Sequence, residues 1–173
     1  KERLTTKVVP VEIPIGSGAG FSGVINLIAK KAYVPTKAGK AGEYEEKEIP
    51  ASDQERFARY HQEMVEAVAA TDDQLLERFF GGEDIPGEEE MAALKEAMKR
   101  EDLFPVLCCS AQMMIGVRTL LDFLVALMPN AYEMEELHAF KGAEGSKTVE
   151  IHPNDDAPFT ALVFKTTAEP HVG

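Results

Sequence analysis

Net negative charge in this chain is confined to one stretch, and the same stretch carries helical periodicity. Between residues 43 and 102 there are 19 acids against 7 bases, while the remaining 11 acids and 11 bases cancel. The whole net charge of -12 therefore belongs to one central block. Phosphate would be repelled by such a block, which argues against direct nucleic-acid binding, whereas a basic protein partner suits it.

Three amphipathic helices are expected within the block. The first should begin near Pro50–Asp53, with Ser52 as N-cap and Glu55 closing a capping box. Phe57, His61, Met64, Val65 and Val68 would form its apolar face. The second should start at Thr71 or Asp72, bury Leu75, Leu76, Phe79 and Phe80, and stop at Gly81–Gly82. The third should run from about Gly87 to Arg100 with Met91, Leu94 and Met98 inward. On the first helix the 100° step per residue turns Glu55, Arg59, Gln62, Glu63 and Glu66 outward. That face is either an ordinary solvated surface, with Arg59 and Glu63 paired at i, i+4, or a docking surface.

The flanks read differently. Val8–Ile15 is rich in β-branched residues but holds Pro10 and Pro14, so a short or edge strand is expected. Val24–Ile28 suits a helical turn or a buried strand equally well. Lys31–Pro35 and Tyr44–Pro50 flank a turn-rich segment and suggest a hairpin. Phe104–Cys109 reads as a strand, followed by a helix from Gly116 to about Met128 with Val117, Leu120, Leu121, Leu124 and Leu127 on one face. Residues 130–156 read as a polar linker, and Phe159–Phe164 as a strand. With 45% hydrophobic and 28% charged residues, the composition is that of a folded mixed α+β chain. No apolar run approaches the roughly 20 residues of a membrane span, and no signal peptide is evident, so a cytoplasmic location is the expectation.

Few residues point to chemistry. Gly18, Gly20 and Gly23 fit the G-x-G-x-x-G spacing of dinucleotide loops, which must open a helix whose N-terminus holds the pyrophosphate. An independent nucleotide-binding enzyme built on that loop is the alternative reading, although Tyr33–Pro35 would end any such helix early. Cys108 and Cys109 are adjacent, which disfavours a disulfide between them, and two lone thiols cannot complete a zinc site. Reduced, buried, structural cysteines are expected. No catalytic or metal-binding constellation is apparent, and His61 suits a core position with a hydrogen-bond partner. The one suggestive arrangement is strand, then Ser110–Ala111, then amphipathic helix, because ligands of α/β folds gather at the C-terminal ends of strands.

The chain resembles translational GTPases of the elongation factor G type. The matching stretches are Val11–Gly16 with Phe21–Ile28, Glu48–Pro50, Tyr60–Gln62, Phe80–Glu83, Cys108–Ala111, Gly116–Val117, Leu120–Asp122, Leu127–Pro129, Asp155–Lys165 and Pro170–Gly173. The resemblance implies residues 1–15 from the GTPase domain, an inserted subdomain over 16–102, and the last strand and helix of a P-loop GTPase-type fold over 103–129. A linker over 130–156 and the first strand of a truncated β-barrel domain over 157–173 would follow. It further implies that Ser110, Ala111 and Gln112 lie at the guanine base, with Cys109 standing where the family usually has Gly. Glu55, Arg59, Glu63 and Glu66 would then face the basic C-terminal domain of the ribosomal stalk protein. GTP or GDP with Mg would belong to the full-length parent. The phosphate-binding loop and the Asn-Lys-x-Asp motif are not in this sequence, so the chain by itself is expected to be inactive as a GTPase.

Overall fold

The structure, a computed structural model, describes residues 7–36, 40, 42–133, 137–140 and 148–167. These fall into two units, 1–128 and 129–173.

Proline and β-branched residues divide the first apolar run. β1 (Val8–Pro10) and β2 (Glu12–Ile15) are separated at Val11 and enter different sheets. β1 pairs in parallel with β6 (Phe104–Val106), with Val8 opposite Phe104 and Pro10 opposite Val106. The sheet bonds are completed by Phe104 N–H to Lys7 O at 2.9 Å and Val11 N–H to Val106 O at 3.0 Å.

β2 begins a four-stranded antiparallel meander with β3 (Gly23–Asn26), β4 (Lys31–Pro35) and β5 (Tyr44–Lys47). Val24–Ile28 is thus strand and turn. Asn26 ends β3 by accepting the N–H groups of Ile28 and Ala29, at 3.0 and 2.8 Å, an Asx turn that leads into β4. The expected hairpin is present as β4 and β5, with Tyr33 and Tyr44 in edge-to-face contact at 4.9 Å. Residues 37–39 and 41 at its tip lie outside the described residues.

The acidic block forms α1 (Gln54–Ala69), α2 (Asp73–Phe80) and α3 (Gly87–Lys99). The inward face of α1 is as its periodicity requires: Met64 and Val68 are buried, with Phe57, Tyr60, His61 and Val65 partly so. Its start differs from expectation. A 3-10 turn over Ala51–Asp53 displaces the cap to Asp53, whose carboxylate pairs with Arg56 at 2.8 Å. The Ser52 hydroxyl donates to that carboxylate at 3.0 Å and caps nothing, so the capping box does not form. At α2, Asp72 is a true cap, accepting from the N–H groups of Gln74 and Leu75.

α2 sits at the margin of the fold and buries none of its residues fully. Phe80 is 76% exposed, which corrects its expected burial, while Leu75, Leu76 and Phe79 are partly buried. Two turns of helix cannot direct both neighbours of a Phe–Phe pair inward, and here Phe80 packs edge-on against Phe79 at 5.8 Å.

One core joins these elements. Val9, Val11 and Ile13 alternate onto a single face across the β1–β2 break and meet Ile25, Leu27, Met64, Val68, Leu94, Ala97, Phe123 and Leu127.

α4 (Val117–Leu127) completes this unit. Its inward positions are Thr119, Phe123 and Leu127, with Leu120 partly buried. Leu121 and Leu124, expected inward, are 52% and 40% exposed, and Val125 is 88% exposed. The helix is apolar on nearly every side, so its sequence pattern does not select a face; Thr119 is drawn inward by polar neighbours described below. β6 is shorter than the expected strand, ending at Val106.

In the second unit, the expected linker contains a hairpin, β7 (Leu137–Phe140) with β8 (Thr148–Ile151). Phe159–Phe164 forms no strand, and Phe159, Leu162, Val163 and Phe164 are exposed. Strand propensity there meets no pairing partner among the described residues. The fold is mixed α+β, and no helix among the described residues is long and apolar enough to cross a membrane.

These burial differences give a graded expectation. Leu94→Ala, at a fully buried site, should cost about 3 kcal/mol or more. Phe79→Ala should cost no more than about 2 kcal/mol, because part of its ring already faces water. Urea unfolding of the two variants checks the order.

Candidate functional site

The segment after β6 is a closed loop, and its closure is local. Ser110 N–H donates to Ile115 O at 2.8 Å and Ile115 N–H returns to Ser110 O at 3.2 Å, an isolated antiparallel bridge. Inside it, the Ser110 hydroxyl accepts Met113 N–H at 3.3 Å. Met114 takes a left-handed conformation, φ 55°. Ile115 plugs the loop into the core, while Ala111, Gln112, Met113 and Met114 are exposed.

The consequence is a small set of available donors. Ser110 spends both backbone groups on Ile115, but the N–H groups of Ala111 and Gln112 donate to nothing among the described residues. The structure therefore places Ser110, Ala111 and Gln112 together in an exposed loop beyond a parallel strand, with two adjacent amides open to an acceptor. Such amides suit a carbonyl oxygen on a planar ring or a small anion.

Gly116 closes the loop's exit. Its φ is +71°, and a Cβ there would lie 2.2 Å from Cys108 O. Only glycine lets the two limbs approach this closely.

Beneath the loop lies a group that sequence reasoning missed. Glu12 on β2 is 1% exposed, and its Oε2 accepts the N–H of Cys108 at 3.4 Å. The Cys108 thiol donates to Glu12 O at 3.6 Å. Oε1 has no hydrogen-bond partner. Burial pushes the Glu12 carboxyl up to about 7, opposed by the nearby Thr119 hydroxyl and by the Cys108 amide. Burial likewise pushes the Cys108 thiol up. Both cysteines are free; Cys108 is partly buried, but Cys109 is exposed, so burial is corrected for one of the pair.

The other sequence candidates are separate from this loop. Gly18–Gly20 forms a single 3-10 turn joining β2 to β3, with Phe21 N–H bonded to Gly18 O at 3.2 Å. It opens no helix, so the dinucleotide reading of Gly18, Gly20 and Gly23 is overturned: a hairpin connection presents no helix N-terminus to a pyrophosphate. His61 is partly buried, stacks on Phe57 at 5.4 Å and has its pKa lowered mainly by burial, but its buried Nδ1 has no hydrogen-bond partner, so the expected partner is missing at that atom. Glu55, Arg59, Gln62, Glu63 and Glu66 are all exposed along α1. The Arg59 guanidinium lies 4.7 Å from the Tyr60 ring centre instead of pairing with Glu63. A cleft of about 430 Å³ lies elsewhere, lined by Tyr33, Tyr44, Met91, Asp122 and Phe123 among others, and it excludes residues 110–112.

Comparison with known proteins adds a relationship at the level of sequence and structure. No family model matches the chain. It is similar to a protein of Thermus thermophilus solved by crystallography, at 35% identity and a TM-score of 0.63. The match covers 73% of this chain and 19% of that protein, so this chain spans about a fifth of its length.

The loop geometry sets a stability expectation. Gly116→Ala combines left-handed strain with a backbone clash and should cost more than about 2 kcal/mol. Gly18→Ala has a φ of +54° but open space around it, so about 1 kcal/mol is expected. Denaturant midpoints of the two variants, compared at equal slope, provide the check.

Proposed function

We propose that this chain is part of an elongation factor G-type translational GTPase, contributing a guanine-contacting loop and an acidic surface that docks the ribosomal stalk. The observation that carries the reading is the 110–115 loop. In the resembling family the Ser-Ala backbone meets the guanine base, and the free amides of Ala111 and Gln112 at the end of a parallel strand suit an acceptor on that base. Here the loop would add base contacts, while GTP phosphates and Mg would be held by parts of the parent outside this sequence.

Two further observations support the same reading. Phe104, Val106, Leu121, Leu124, Val125 and Met128 expose apolar surface on β6, on α4 and at the residue that ends α4. Patches of this kind are ordinarily covered by other protein, as the remainder of a GTPase domain would do. Separately, α1 presents Glu55, Glu63 and Glu66 outward with Arg59 on Tyr60, a carboxylate-rich face complementary to a basic stalk domain.

Exposed charges at an interface rim act mainly on association rate and salt dependence. Reversing Glu63 and Glu66 to Lys should slow binding of the stalk protein's C-terminal domain at low salt, and slow stalk-dependent ribosome association of the full-length parent. Fold stability should change by less than about 0.5 kcal/mol. Stopped-flow association measured across ionic strengths tests this; rates unaltered at every salt concentration would remove α1 as the contact.

A further inference from the structure

We propose that Glu12 is the positioning residue of the 108–116 loop: its one carboxyl, buried under the loop, ties the incoming limb at Cys108 to the exit turn at Gly116 through Thr119. The base-contacting role of the loop rests on the function proposed above; the anchoring does not.

Alternation along β2 sends Glu12 to the side opposite Ile13, and that side is covered by the loop and the first turn of α4. From there Oε2 takes the Cys108 amide, 96 positions away in sequence. Thr119, 6% exposed, donates its hydroxyl to Gly116 O at 3.0 Å and also faces the Glu12 carboxyl.

A proton count makes the arrangement a two-state one. Thr119 has a single hydroxyl proton, and two acceptors claim it: Gly116 O and the carboxylate. When Glu12 is protonated it donates to the Thr119 oxygen, Thr119 keeps its proton on Gly116 O, and the other carboxyl oxygen remains for Cys108 N–H. When Glu12 is ionised it competes for the Thr119 proton, and Gly116 O is left with the Leu120 N–H alone, at 3.1 Å. The first arrangement makes one more hydrogen bond than the second, in keeping with a carboxyl raised to about 7.

The groups facing this carboxyl do not change charge in that range. Cys108 on the loop and Tyr33 on β4 are both held neutral by upward shifts. Arg56 on α1 bonds Pro14 O and acts on Cys108. Asn26, opposite Glu12 on β3, and Thr119 on α4 are uncharged.

The test uses the isotope-labelled chain between about pH 5 and 9, following the Glu12 side-chain carboxyl and the amides of Cys108, Ser110 and Gly116 by NMR. A shared midpoint near 7, abolished in Glu12→Gln while spectral dispersion is kept, is the expected result. Thr119→Val should uncouple Gly116 while Cys108 still titrates. A Glu12 midpoint in the ordinary carboxylate range, or a loop titration that survives Glu12→Gln, would overturn the proposal. GDP affinity of the full-length parent that follows the same pH profile supports the base-contact part. A flat affinity profile with the loop titration intact overturns the base-contact reading alone.

Discussion

Parallel pairing of Val8–Pro10 with Phe104–Val106 holds the first unit of this chain together. Such short ladders are weak by themselves, and closing the long intervening segment carries an entropic cost. What sustains the pairing is the shared core behind it, where Val9, Val11 and Ile13 meet the inward faces of α1, α3 and α4. Because β1 and β6 are locked side by side, everything between them folds back as an excursion, and the 108–116 loop emerges directly over β2.

The excursion separates charge from apolar surface with little compromise. Acids of the block lie on outer faces or in first turns, as with Glu88 and Glu89 at the start of α3, where the helix dipole favours them. Arg78 links α2 to this turn by bonding both Glu83 and Glu89. Glu90 is the exception: it is buried, its Oε2 lacks a partner, and burial raises its pKa. The rest of the acidity costs the fold little and leaves an electrostatic surface ready for a basic partner.

Much of this was legible in the residues. Phe57, Met64, Val65 and Val68 recur at helical spacing, and that local regularity is enough to name the buried side of α1. Asp72 before a helical run announces a cap, and the polar break between Lys31–Pro35 and Tyr44–Lys47 announces a hairpin. Ser52–Glu55 announced a capping box as clearly, yet the 3-10 turn before α1 displaced it, because caps depend on the angle at which the chain enters. Among site residues, Ser110, Ala111 and Gln112 could be placed beyond a strand, but the bridge from Ser110 to Ile115 that leaves the next two amides free has no signature in sequence.

By itself the sequence determined the three acidic helices, the solvent face of the first and the mixed α+β character, since helical periodicity acts over a few residues. Only tertiary structure decided which side of α4 turns inward and what covers the second face of β2. A glutamate flanked by Val11 and Ile13 reads as the polar side of a half-buried strand. It becomes a buried, proton-sensitive anchor because a loop almost a hundred positions away lies on top of it. Burial of that kind is a property of the distant segment that arrives, and the alternation of a strand carries no record of it.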